Sequence, residues 1–245
     1  QTPESRIIID CGIDPSQKGP EQYPYLDAPE FNIQEIDAVV VTHSHLDHSG
    51  MIPYLFKYGY EGPVYCTLPT RDIMSLLQLD MVKIQRGEGL DPIYTSEEVK
   101  KVVLHTIPIE YGAVTDITPD VRLTLYNAGH ILGSAMAHFN IGNGLHNLVY
   151  TGDIKYGRTN LLEAANTQFP RVETMIIEST YGGRDCVMAK SNADEYLTEV
   201  MQRAFNRGGK IIMPVLGSGR AQEVMIIIER IIREGKVPKV PVYID

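Results

Sequence analysis

Short apolar runs separated by polar or Gly- and Pro-rich segments make up the first two thirds of the chain. Residues 7–9, Ile-Ile-Ile, read as a buried strand that ends at Asp10 and a turn at Gly12; residues 13–32 read as loop. The apolar run 38–41 predicts a second buried strand, and an abruptly polar stretch follows it. A short helix is expected over 49–58, closed by Gly59, then a strand over 63–66. Residues 69–86 carry helical periodicity, with Ile73, Leu76, Leu77 and Met81 among the apolar positions. Ser96 followed by Glu97 and Glu98 marks a helix start, with Ser96 as its cap and the acids in its first turn. Strand patterns then take over at 103–107, 121–128, 135–141, 148–150 and 174–178. Beyond residue 183 the rhythm becomes helix 192–206, strand 210–216, helix 220–234 and strand 240–245. Such alternation predicts a parallel sheet. These patterns place a domain boundary near residue 182.

Composition adds little to this picture and charge adds something. Of the 245 residues, 43% are hydrophobic and 22% charged, ordinary for a globular chain, and no apolar run reaches the ~20 residues of a membrane helix. Cys11, Cys66 and Cys186 form no CxxC pair, which fits buried thiols in a reducing, cytoplasmic setting. The formal net charge of −9 is unevenly spread: residues 1–153 hold 9 basic and 20 acidic side chains, whereas 154–220 hold 9 and 7. A polyanionic substrate is neither excluded nor required by that balance. Both ends look cut, since a strand begins almost at the first residue and another stops at the last.

The polar stretch behind the second strand is HSHLDH, from His43 to His48, and it concentrates the candidate chemistry. Residues two apart on an extended segment point the same way, so His43 and His45 converge on one point. If the chain then turns helical, Asp47 and His48 face a second point a few Å away. Nitrogen and oxygen donors so placed suit two adjacent zinc ions. His130, in a glycine-rich turn, would complete the first nitrogen set, and Asp153, after a strand and a glycine, would bridge the two ions. Asp10 is placed to orient a ligating histidine, although by itself it also fits a plain turn residue. Glu178 ends a strand as a second carboxylate of the same kind as Asp153. His105, His138 and His146 read as structural or solvated, and the cysteines lack a partner at metal spacing.

Together, HSHLDH, the Asp10 strand end, Gly129-His130 and Thr151-Gly152-Asp153 resemble the motifs of the metallo-β-lactamase superfamily. The Glu178-Ser-Thr-Tyr-Gly182 and Gly219-Arg-Ala-Gln-Glu223 stretches resemble its β-CASP branch of RNA-processing nucleases, in particular the archaeal relatives of the cleavage and polyadenylation specificity factor endonuclease subunit. The resemblance implies an incomplete αββα sandwich over 1–182 and the start of an inserted parallel-sheet β-CASP domain over 183–245. By position it assigns His43, His45 and His130 to one Zn²⁺, Asp47 and His48 to a second, and Asp153 to both. Asp10 then supports the ligands, and Glu178 holds a histidine acid in place. The implied activity is zinc-dependent endoribonucleolytic cleavage of single-stranded RNA in 3′-end processing, with 5′–3′ exonuclease activity beside it. Also implied are a homodimer at full length and N-terminal RNA-binding modules of the KH type, neither legible here.

One departure bears on all of this. The family uses two further histidines after the insertion, one as leaving-group acid and one as a ligand to the second zinc, yet no histidine follows His146. The expectation is therefore a portion of a longer chain, with the second zinc position incompletely held and no acid of its own. Gly217-Ser-Gly-Arg220 at a helix start offers a phosphate contact, or simply a glycine-rich loop. Two other classes compete: a small-molecule thioesterase-like hydrolase, which would lack the Glu178 and Gly219-Arg220 signatures, and a non-catalytic scaffold subunit, which would have lost zinc ligands.

Overall fold

The computed structural model describes residues 1–29, 31–183 and 190–244. They divide into two compact units, one of residues 1–158 and 162–178 and the other of 159–161 and 179–245. The first is an α/β structure built on two sheets. Four parallel strands, β1 (Ile7–Ile9), β2 (Ala38–Val40), β3 (Val64–Cys66) and β4 (Thr106–Pro108), lie in sequential order. The second sheet orders β5 (Val114–Thr118), β6 (Val121–Asn127), β7 (Ala135–Ile141), β8 (His146–Tyr150) and β9 (Thr174–Ile176), antiparallel except for the parallel β8–β9 pair.

The uninterrupted apolar run in β2 follows from burial on both faces. Val39 and Val41 point into a core with Ile52, Leu55, Phe56, Met74 and Val102 from the helices. Ala38 and Val40 point the other way, against Leu123, Leu125, Ala135, Ala137 and Phe139 of the second sheet. Helices α1 (Leu46–Ser49), α2 (Ile52–Lys57), α3 (Leu68–Gly87) and α4 (Ser96–His105) cover the first sheet. Over the far side of the second sheet, Ala128 and Met136 pack with Ala165 and Phe169 of an irregular segment.

Several expected elements differ. The helix anticipated over 49–58 is two, because Pro53, near the start of α2, has no N–H to continue the ladder from α1. In α3 the buried stripe runs through Thr70, Met74, Gln78, Met81, Val82 and Gln85, whereas Leu76 is 65% exposed. Thr95, not Ser96, caps α4: its hydroxyl accepts from Glu97 N–H, and Glu98 reaches back to Thr95 N–H at 2.8 Å. The helix so started runs through residues 103–105, leaving only Thr106–Pro108 as strand. The edge strand β5 went unanticipated because it is irregular and buries only Ile117.

The second unit contains α5 (Lys190–Asn206) and α6 (Arg220–Arg233), packed through Met201, Ile228 and Ile231, with an Arg230–Asp194 ion pair between them. Residues 210–216 and 240–244 are not strands. Ile211 and Met213 alternate inward onto the helix pair and Ile212 is 91% exposed, but no neighbouring backbone pairs with them among the described residues. Cys186 lies outside the described residues.

Candidate metal centre

The loop after β2 is fastened before any histidine is reached. Val41 N–H donates to Tyr65 O, Thr42 O accepts from Ala135 N–H at 2.8 Å, and Thr42 N–H donates to Asp10 Oδ1 at 2.7 Å. His45 then stands at the start of α1, which puts Asp47 and His48 in its first turn. The segment after β1 straps that turn down: Cys11 N–H donates to His48 O at 2.7 Å and Ile13 N–H to Leu46 O at 3.0 Å. Gly12 lies between them because a Cβ there would overlap the Asp47 carbonyl. Gln78 of α3 closes the other side, donating to Ser49 O at 2.8 Å.

His130 comes from a separate turn that is equally tied. Ser134 Oγ accepts from the N–H groups of His130 and Ile131, both at 3.1 Å, and the Thr67 and Thr70 hydroxyls at the start of α3 donate to Gly133 O. Asp153 follows β8 through Gly152, whose φ of 51° is costly for other residues and whose missing Cβ would fall 2.5 Å from Thr42 Oγ1.

Two groups of donor atoms result. One comprises His43, His45, His130 and Asp153, the other His43, Asp47 and His48, with the donor atoms of each group within 4.8 Å of one another. His45 Nδ1 lies 3.1 Å from His43 Nε2 and 3.3 Å from His130 Nε2. Asp153 faces both groups: Oδ2 is 3.5 Å from His130 Nε2 and 3.9 Å from His43 Nε2, while Oδ1 is 3.4 Å from His48 Nε2. Asp47 Oδ2 approaches His48 Nε2 at 3.7 Å. Asp10 stands behind these atoms at φ 58°, its Oδ2 accepting from His48 Nδ1–H and from the Thr42 hydroxyl, both at 2.7 Å.

The electrostatics suit a cation. Burial and the neighbouring His48, His45 and His130 push the His43 imidazole down to about 2, so it is neutral and able to donate to a cation. Burial likewise lowers His45, whose buried Nε2 has no hydrogen-bond partner among the described residues, so that its interactions run through Nδ1. Burial also acts to lower His48, but hydrogen bonds to Asp10 and Asp153 outweigh it and raise that imidazole to about 10. The hydrogen bond from His48 holds the Asp153 carboxyl down at about 2. The neutral His43 and His45 imidazoles beside anionic carboxylates fit a divalent metal of the nitrogen- and oxygen-loving kind, which would have to displace the proton that Asp10 and Asp153 keep on His48.

Of the residues expected from sequence, His43, His45, Asp47, His48, His130 and Asp153 are brought together, and Asp10 lies directly behind His48. Glu178 is elsewhere: its Oε1 accepts from Ile154 N–H at 3.1 Å and its own N–H donates to Thr151 Oγ1, so it grips the loop that carries Asp153. His105, His138 and His146 lie apart, against Gly62 O, Arg171 O and Thr174 Oγ1. At the Gly217–Arg220 turn, Gln222 already accepts from Gly219 N–H, leaving less of the helix start for a phosphate. The sequence reading placed Gly12 in a turn and Gly152 in the Asp153 motif without giving either a role, and passed over Thr42 and Ser134. The glycines flanking each motif were the visible signal for two of these; for Thr42, only its place directly before His43.

An α/β fold carrying a histidine–aspartate centre at strand ends defines a class, and the comparisons name it. The chain belongs to the metallo-β-lactamase superfamily, whose members are generally hydrolases: the family model described as "Metallo-beta-lactamase superfamily domain" matches residues 1–179. Among curated proteins it is 56% identical over 247 residues to a transcription termination factor FttA of Methanothermobacter thermautotrophicus, covering 100% of this chain and 39% of that protein. It is 54% identical to the FttA of Methanocaldococcus jannaschii (100% and 38% covered) and 50% identical to that of Pyrococcus horikoshii (100% and 39%). The chain thus spans about two fifths of the length of these relatives. Solved structures that align with it include a Cronobacter sakazakii metallo-β-lactamase with a HARLDQ motif, at TM-score 0.44 and 20% identity over 66% of this chain and 54% of that one. Another is MEM-A1, a subclass B3 metallo-β-lactamase from a soil metagenome, at TM-score 0.40 and 22% identity over 61% and 53%.

Proposed function

We propose that this chain carries the metal-binding portion of a two-zinc phosphodiesterase that cuts single-stranded RNA, as an endonuclease and from the 5′ end, at transcript 3′ ends formed by termination. The observation that carries the reading is Asp153, with one carboxylate oxygen toward each of two donor groups. His43, His45 and His130 would hold one Zn²⁺, Asp47 and His48 a second, and Asp153 both. Two such cations lower the pKa of a shared water toward ~7 and neutralise charge on the attacked phosphate. Asp10 keeps the His48 ring in place, and Glu178 keeps the Asp153 loop in place.

RNA, among the substrates of this superfamily, is favoured by the names of the relatives and by the loop after Asp153. Lys155, Tyr156 and Arg158 follow in a chain that is acidic up to that point, and Tyr156 is 77% exposed. The Lys155 backbone is tied on both sides, to Ala128 O and from Ala165 N–H, so the loop offers the Lys155 cation for a phosphate and the Tyr156 ring for a base on a fixed support, while Arg158 pairs with Glu163 at 2.9 Å. Residues 183–245 are read as the first portion of a β-CASP insertion. The leaving-group acid and the last zinc ligand would be histidines of a longer, cytoplasmic, homodimeric protein with KH-type modules.

The decisive assay is cleavage of a labelled single-stranded RNA by the full-length protein, with and without chelator, beside Asp47→Ala/His48→Ala. Losing several kcal/mol of charge stabilisation predicts a drop of about a hundredfold or more under either treatment. Cleavage surviving both would end the two-metal reading.

A further inference from the structure

Thr42 belongs to neither donor group, yet its hydroxyl lies between Asp10 and His43. Asp10 Oδ1 takes the Thr42 backbone N–H, and Oδ2 takes both the Thr42 hydroxyl and His48 Nδ1, each at 2.7 Å. The same hydroxyl oxygen is 3.1 Å from His43 Nδ1. A hydroxyl has one proton to give, and here it goes to the carboxylate. Toward His43 the oxygen is left with lone pairs only, so Nδ1 must be the N–H and Nε2 the bare nitrogen. Nε2 is the atom turned toward His45 Nδ1 and Asp153 Oδ2.

Among the described residues, the hydrogen-bond partner of His43 Nδ1 is the Thr42 hydroxyl. Thr42 and His43 are both wholly buried, and Thr42 is held through its backbone N–H by Asp10 and its carbonyl by Ala135. A Cβ at position 152 would fall 2.5–3.1 Å from the Thr42 Oγ1, Cβ and methyl, so glycine there leaves the hydroxyl its place.

We propose that Thr42 is a positioning residue: its hydroxyl relays the Asp10 carboxylate to His43 and fixes His43 as the tautomer that offers Nε2 to metal. One carboxylate thereby sets two histidines, His48 directly and His43 through the hydroxyl. This rests on the metal reading above only for its purpose; the tautomer itself exists in the metal-free protein and is measured there.

The test uses protein with ¹⁵N-labelled histidine, read by long-range ¹H–¹⁵N correlation without metal, and Zn²⁺ competition against a chromophoric chelator without RNA. In the wild type His43 is expected as Nδ1–H, Nε2-bare. Thr42→Ser keeps the hydroxyl and is expected to keep that tautomer and bind Zn²⁺ within about threefold of wild type. Thr42→Val keeps the volume and loses the hydroxyl; a mixed or reversed tautomer and Zn²⁺ binding weaker by about 10- to 100-fold are expected. A wild-type His43 carrying its proton on Nε2 overturns the proposal, and so does Thr42→Val with unchanged Zn²⁺ affinity. If Thr42→Val fails to fold, the wild-type spectrum still decides. Wild-type protein that binds no Zn²⁺ would sink the metal reading while leaving the relay to stand or fall on the spectrum.

Discussion

Cys11 is the residue next to Asp10 and Cys66 ends β3, and both thiols are buried. Burial pushes each up to about 12, with the Asp10 charge adding to the effect on Cys11. A thiol whose folded pKa exceeds its unfolded value gives stability that is complete below the unfolded value near 9, and loses it as pH climbs from there toward 12. At pH 8.5 a Cys186→Ser variant should therefore show no fast reaction with an aromatic disulfide until denaturant is added; prompt reaction of the native thiols would contradict it. Gly12 makes a sharper prediction at this scale. Gly12→Ala must push the Asp47 carbonyl away, so the variant should lose both stability, by about 1–3 kcal/mol, and Zn²⁺ binding. Denaturant melts and metal competition would measure the two losses, and wild-type metal affinity would refute the second. The donors themselves were legible because His and Asp at spacings of two and one declare their chemistry. Gly12, Gly152 and Thr42 were not, because their roles depend on which remote backbone comes close, and no local spacing encodes that.

At the scale of the element, α4 is capped by Thr95, one residue before the Ser96 that the sequence suggests. Thr95 and Glu98 satisfy each other's orphan groups, so Thr95→Ala should cost about 1 kcal/mol while Ser96→Ala costs a few tenths at most. Equal costs in chemical denaturation would move the cap back to Ser96. The same helix explains why 103–107 looked like strand: Val102 and Val103 are β-branched, but a strong cap upstream carries the helix past them. By contrast β2 was readable because it is buried on both faces, and that leaves a continuous apolar run. Residues 210–216 show what such a run cannot say. Alternation identifies the inward face, here Ile211 and Met213, but a strand also needs a neighbour to pair with, and pairing is not a property of the segment.

For the whole molecule, all six candidate ligands and both supporting carboxylates fall within the unit of residues 1–158 and 162–178. That confines the thermodynamic effect of metal. A ligand that binds only the folded form stabilises it by RT ln(1 + [L]/Kd), about 2.7 kcal/mol at a hundredfold excess over Kd. For a unit of this size that corresponds to an upward shift of roughly 5–10 °C in Tm. Zn²⁺ should therefore raise the unfolding temperature of this unit and leave the α5–α6 unit, none of whose described residues belongs to either donor group, where it was. Calorimetry with zinc and then with chelator reads the two transitions, and tryptophans placed in each unit assign them, since the chain has none of its own. Asp47→Ala should reduce the shift and His43→Ala should reduce it further, because His43 is common to both donor groups. A zinc-dependent shift confined to the α5–α6 unit, or one unchanged in His43→Ala, would place the metal somewhere other than behind β2.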